Sequence, residues 1–210
     1  MGPLATDPRL HILGEALAPA TREDLAPLGH VNDSLDAAVS VVVRARADLD
    51  FLLIKRAHSE LDPWSGHMAL PGGRWDPTDT SLIHTARRET LEETGVDLQR
   101  IGSPLGRLDD VATTSPLLPK LRIAAFVFGV PGDVEATVAS DEVEQVHWVP
   151  LDTLRAPGTG TSVEMTLPGG QRVFPSYHVA GEHVWGLTHR ILTHLLELYP
   201  ELRLDQLRHI

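Results

Sequence analysis

Glutamates 89, 92 and 93 stand at i, i+3 and i+4, the spacing that sets three side chains on one face of an α-helix. Like charges placed so repel one another by about a few tenths of a kcal/mol per pair unless something neutralises them. Hard divalent cations favour carboxylate oxygens, and Mg²⁺ in particular keeps several waters and takes phosphate oxygens from a substrate. An acidic helix face therefore suits metal-assisted attack of water on phosphorus. The plain alternative is a solvated acidic face. Three neighbours weigh against it: a Gly72-Gly73 turn ahead of the helix, Arg88 beside the first glutamate, and Gly95 where the helix must stop.

Composition narrows the setting. The 210 residues suit one domain with a substantial core, or one domain with extensions. No apolar run approaches the length of a membrane-spanning helix. The first eleven residues lack the basic patch and apolar stretch of a secretory signal. Cysteine is absent, which excludes a disulfide framework, thiolate metal sites and a cysteine nucleophile, and fits a cytoplasmic location. A formal charge of −11 disfavours nucleic acid and anionic membrane surfaces as partners, while leaving room for a small phosphorylated substrate bound through metal ions. His183, His189 and His194 lack the i, i+4 spacing of a helical zinc pair.

The pattern of apolar residues predicts strands over 37–43 and 51–54, paired as a hairpin, then a loop over 55–79. A helix follows from Thr80 or Ser81 to about Thr94, stopped by Gly95. Further strands are expected over 102–111, 121–130 and 144–149, a helical turn over 151–154, and a hairpin of 163–167 with 173–177. An amphipathic helix over 184–198 ends the domain. Residues 1–35 read as an N-terminal arm or short helix, with Thr21 as a candidate cap. Residues 36–200 read as the catalytic domain and 201–210 as a tail. Strands on both sides of a central helix suggest an α/β sandwich.

The run Arg88-Glu89-Thr90-Leu91-Glu92-Glu93-Thr94-Gly95-Val96 resembles the second half of the Nudix box, R-E-U-x-E-E-x-G-U with U aliphatic. Gly73 and Asp79 resemble its first half, G-x5-E. Thr90 stands where an aliphatic residue is usual. Asp79 replaces a glutamate, and one extra residue separates it from Arg88. The resemblance implies an α/β/α sandwich with a mixed β-sheet and the Nudix loop-helix. It implies that Glu89, Glu92 and Glu93, with the Gly72 carbonyl, bind Mg²⁺ or Mn²⁺, and that Arg88 orients the glutamates. It also implies an acidic residue from a later loop as ligand or general base. Glu142 is the first candidate for that role and Glu144 the second.

The box sets the chemistry, hydrolysis of a nucleoside diphosphate linked to another moiety, and leaves the substrate open. Upstream, Leu52-Leu53-Ile54-Lys55-Arg56-Ala57 and Gly66, with Pro71-Gly72-Gly73, resemble the additional motif of coenzyme A pyrophosphatases, L-L-T-x-R-S/A followed by R, G and F-P-G-G. Leu61 falls at the second arginine and Leu70 at the phenylalanine. The resemblance implies coenzyme A or its acyl derivatives as substrate, with 3′,5′-ADP and 4′-phosphopantetheine as products. ADP-ribose, a nucleotide sugar or another dinucleotide is the alternative, and a nucleotide-sensing module without hydrolysis is a further one. Arg56 is a candidate phosphate contact, Gly73 part of the substrate surface, and Trp64 and His67 candidates for stacking on adenine. Trp185 reads as core. The resemblance is compatible with a homodimer.

Overall fold

A computed structural model describes residues 7–19, 35–59, 64–113, 121–167 and 170–199. Seven strands form one mixed sheet: β1 (Leu35–Ala45), β2 (Leu49–Arg56), β3 (Met68–Ala69), β4 (Gly72–Arg74), β5 (Ser103–Ala112), β6 (Leu121–Val130) and β7 (Val143–Pro150). β1 and β6 run parallel at its centre, and the other pairs are antiparallel. A second, three-stranded antiparallel sheet holds β8 (Gly160–Leu167), β9 (Gly170–Val179) and β10 (Glu182–Trp185). The helices are α1 (Pro8–Ala16), α2 (Leu82–Thr94), α3 (Leu98–Ile101) and α4 (Gly186–Leu198).

Strand alternation explains the layers. Val41, Val43, Phe51 and Leu53 face one side, where they meet Leu10 and Leu13 of α1 and Ile191, Leu192 and Leu195 of α4. Val42, Leu52, Phe126 and Phe128 face the other, under Leu82, Ile83 and Ala86 of α2 and Leu98 of α3. Because both faces are covered, β1 is almost continuously apolar. The result is an α/β/α sandwich, as the sequence predicts.

One edge of β1 is shared, and this opens the place for the site. Its second half, Val43–Ala45, pairs with β2, whereas Ala37, Ala38 and Val39 pair with Arg74, Gly73 and Gly72 of β4. Between them the Ser40 N–H donates to the Pro71 carbonyl at 2.8 Å. The stretch 55–79, expected as loop, thus contributes β3 and β4. Glycine and proline mark it locally as irregular, but long-range pairing with β1 and β2 makes parts of it strand.

The final helix also differs from expectation. Val184 and Trp185 belong to β10, opposite Tyr177 and Ser176, and the left-handed Gly186 (φ 65°) turns the chain into α4. The predicted hairpin is β8–β9. The candidate cap Thr21, Leu61 and the tail 201–210 lie outside the described residues. Among the described residues no helix is long and apolar enough to cross a membrane.

Candidate active site

The site is built where β4 passes under α2. Ser81 caps the helix by accepting the His84 N–H at 3.3 Å, and Gly95 ends it in the left-handed region (φ 70°), its N–H bonded to Leu91 O at 2.9 Å. The stripe Leu82, Ile83, Ala86, Thr90 and Glu93 faces the sheet, which is why Glu93 is 4% exposed. The Gly72 N–H donates to Glu93 Oε2 at 2.8 Å. A Cβ on Gly73 would lie 2.4 Å from Glu89 Oε1, and one on Gly72 2.3 Å from the Ala38 carbonyl oxygen. Gly73 therefore lets the Glu89 carboxylate lie directly on the strand, while Gly72 lets β4 pass close against β1.

Burial pushes the Glu93 carboxyl up to about 8. The Gly72 N–H and Arg56 oppose that rise, and Glu89 and Glu142 add to it. Glu89 is raised as well, first by burial, against the pull of Arg88. Glu92 is more open, with 55% of its side chain exposed.

Arg88 ties the acidic groups together. Its guanidinium reaches Glu89 Oε1 at 2.9 Å and Glu92 Oε2 at 3.0 Å. It also grips Asp79 with two bonds, Nε to Oδ1 at 2.9 Å and Nη2 to Oδ2 at 3.0 Å. Asp79 itself ends a tight turn in which its N–H donates to Asp76 O at 2.8 Å and the Asp76 N–H donates to Asp79 Oδ2 at 3.1 Å. Asp79 also accepts the Thr85 hydroxyl at 2.8 Å and contacts His84 Nδ1 at 3.0 Å. Its side chain is fully buried.

Thr90, polar where the motif is usually aliphatic, is buried and satisfied: its hydroxyl donates to Ala86 O at 2.7 Å and meets Ser40 Oγ at 2.8 Å.

The segment after β6 closes the helix's last turn. Thr137 N–H donates to Thr94 O at 3.0 Å and Ala139 N–H to Glu93 O at 3.2 Å. An open cleft of about 700 Å³ lies there, lined by Glu92, Val138, Ala139, Ser140 and Asp141. Glu142 follows directly. Its carbonyl accepts the Ala57 N–H at 2.8 Å, and its charge is felt by both Glu89 and Glu93. Glu144 instead turns to Lys55, 3.2 Å away, whose ammonium also meets Glu182 at 2.8 Å. Those two carboxylates, Glu182 first, hold Lys55 above its ordinary pKa.

Arg56 faces the site closely enough to lower the Glu93 pKa, and its N–H donates to His67 O at 3.0 Å. His67 sets its ring edge-on against Trp185, 5.0 Å between centroids, and Trp185 in turn packs on Phe174. Trp64 is half-buried in the preceding turn, its carbonyl bonded to the His67 N–H. Sequence reasoning did not single out Lys55, Glu182, Ser40 or Thr85. Their partners depend on strand register and helix placement, which no local pattern announces.

Among the described residues no three acidic or histidine side chains already close on a single point suited to a metal ion. Glu92 is drawn to Arg88 while Glu93 faces Gly72. The donor set nonetheless fits a hard divalent cation: the buried Glu93 and the partly buried Glu89, whose charge helps raise the Glu93 pKa, stand against a glycine strand. Glu89, Glu93 and the Gly72 carbonyl would hold it, with Glu92 recruited from Arg88.

The NUDIX domain model matches residues 34–166, more than half of the chain. An uncharacterized Nudix hydrolase, NudL, of Yersinia pestis is 30% identical over 162 residues, covering 77% of this chain and 78% of its own. An uncharacterized protein of Schizosaccharomyces pombe is 42% identical over 117 residues, 54% of this chain, and the match spans 36% of the yeast protein's length. A MutT/nudix family protein from Enterococcus faecalis shares the fold, with a TM-score of 0.54 at 18% identity, over 85% of this chain and 65% of that one. The glycine strand, the capped glutamate helix and the arginine that joins them thus lie within a stretch of family similarity over residues 34–166, and the chain belongs to the Nudix hydrolase family.

Proposed function

We propose that this chain hydrolyses the pyrophosphate bond of a nucleoside diphosphate linked to a second moiety, using Mg²⁺ or Mn²⁺, and that its substrate is coenzyme A or an acyl derivative. What carries the reading is the pair of carboxylates, Glu93 buried and Glu89 partly buried, set against the side-chain-free Gly72–Gly73 strand. A divalent cation bound there supplies a Lewis acid that neutralises phosphate charge and activates water. The chain's own groups do the rest. Arg88, anchored by Asp79, orients Glu89 and Glu92. Glu142 is the candidate to accept the proton of the attacking water, and Arg56 to hold a phosphate oxygen. Trp64 and His67 are the candidates to border the base.

The coenzyme A assignment rests on the motif around Arg56, Gly66 and Pro71-Gly72-Gly73. In this reading residues 36–200 are the catalytic domain, the products are 3′,5′-ADP and 4′-phosphopantetheine, and the protein works in the cytoplasm.

The test is turnover with Mg²⁺ on coenzyme A, ADP-ribose, NADH and dinucleoside polyphosphates, for wild type and Glu93→Gln. The proposal expects coenzyme A to be the best substrate and the variant to lose nearly all activity. Unchanged turnover in the variant overturns the site. ADP-ribose cleaved more efficiently by about tenfold, or about 1.4 kcal/mol in transition-state binding, overturns the substrate.

A further inference from the structure

β2 and β7 run in register from Asp50 opposite Pro150 to Lys55 opposite Gln145, and then Arg56 faces Val143. Glu144 is therefore the extra residue of a β-bulge. A bulge leaves one residue outside the ladder and re-aims its side chain. Here the re-aimed carboxylate meets the Lys55 ammonium at 3.2 Å. The same ammonium meets Glu182 of β10 at 2.8 Å, so one lysine joins the central sheet, the bulge and the second sheet. Two residues on, the Ala57 N–H donates to the carbonyl of Glu142, itself two residues before the bulged Glu144. The Glu142 turn is thus held at both ends of a three-residue span, by the backbone at 142 and by the Lys55 side chain at 144.

We propose that Lys55 is a positioning residue: by clamping Glu144 against Glu182 it fixes the bulge, and so sets where Glu142 stands relative to Glu89 and Glu93. The proposal rests on the hydrolase reading for what Glu142 then does. Lysine suits the task because a compact head with three donors serves two carboxylates at once. Lys55 lies at the variable position of the L-L-T-x-R motif, so the motif itself does not require it. Its side chain is 18% exposed and its partners are 44% and 38% exposed. Ion pairs whose carboxylates are this open to water add little to stability. Losing the clamp should therefore disturb the placement of the turn far more than the fold.

The experiment compares wild type with Lys55→Met, Lys55→Arg and the double variant Lys55→Met/Glu144→Gln. It reads kcat and KM on the best substrate, Tm, and hydrogen exchange at the Ala57 amide, which reports the bond to Glu142 without need of activity. For Lys55→Met the expectation is faster exchange at Ala57 and kcat lower by about tenfold. KM should change by about twofold or less, and Tm should stay within about 3 °C of wild type. Lys55→Arg recovers most of kcat, and adding Glu144→Gln to Lys55→Met costs nothing more. Wild-type exchange at Ala57 in Lys55→Met overturns the clamp. Faster exchange with wild-type kcat overturns its catalytic consequence. A fall in kcat that tracks a fall in Tm, with no rescue by arginine, assigns Lys55 a merely structural role and also overturns it. A wild type inactive on every substrate would instead sink the hydrolase reading, and Ala57 exchange alone would then decide the clamp.

Discussion

Asp79 carries stability that depends on its charge. Burial alone would raise its pKa, but the Arg88 guanidinium, the Asp76 N–H and the Thr85 hydroxyl outweigh that and hold it at about 2, against 3.8 for a free aspartate. The folded pKa is depressed, so the contribution is full above the unfolded pKa and is lost as pH falls through the folded one. A difference of nearly two units corresponds to about 2.5 kcal/mol at neutral pH. Asp79→Asn removes the charge with little change of shape. Urea midpoints and m-values measured from pH 7 to pH 2 should show the variant less stable by about 2–3 kcal/mol at neutral pH. The two curves should converge as pH drops from about 4 to about 2, where wild-type Asp79 takes up its proton. Comparison with the variant, rather than the wild-type slope alone, separates Asp79 from other depressed carboxyls such as Asp7. Curves that run parallel through the acid range would refute the reasoning. So would a neutral-pH difference under about 0.5 kcal/mol.

The adjacent glycines should fail differently. Gly72→Ala drives a methyl into backbone at Ala38 and Val39 from a positive-φ position, and should cost at least about 2 kcal/mol in urea unfolding. Gly73→Ala meets the movable carboxylate of Glu89, and should keep most stability while lowering kcat by about tenfold or more; similar losses from both variants would contradict this. Ser40→Ala and Thr90→Val should each cost about 1–2 kcal/mol, and the double variant less than their sum, because it removes both ends of a buried polar pair. Strict additivity in the denaturation midpoints would show that the two hydroxyls are independent.

The parts of this molecule that were legible in the sequence are those with local causes. Ser81 and Gly95 bracket α2 because a side-chain oxygen and a left-handed residue satisfy helix ends wherever they occur. The β-branched run of β1 and the apolar run of β6 read as strands, although their parallel pairing at the centre of the sheet does not show in either run. What escaped depends on distant partners. β4 is a strand because β1 leaves part of its edge open to it. Val184 and Trp185, which continue an amphipathic helical pattern on paper, are strand because β9 offers them an edge. The spacing of Glu89, Glu92 and Glu93 placed them on one helix, but the split in their directions, Glu93 toward Gly72 and Glu92 toward Arg88, follows from the strand beneath and from an arginine locked by Asp79. Asp79 meets Arg88 despite the added residue, and it is held there by side chains from the first turn of α2, Thr85 and His84, whose approach no local pattern announces.

The central claim is that the carboxylates of Glu89 and Glu93 close on a divalent cation over the glycine strand. Crystals grown with Mn²⁺ and a non-hydrolysable nucleoside diphosphate analogue, read by anomalous difference density, test it most directly. The account predicts a peak at oxygen-coordination distance, about 2.0–2.3 Å, from Glu89, Glu93 and the Gly72 carbonyl, with phosphate oxygens on its open side. A map in which Glu93 still accepts the Gly72 N–H and the ion lies elsewhere, away from all three, would contradict it.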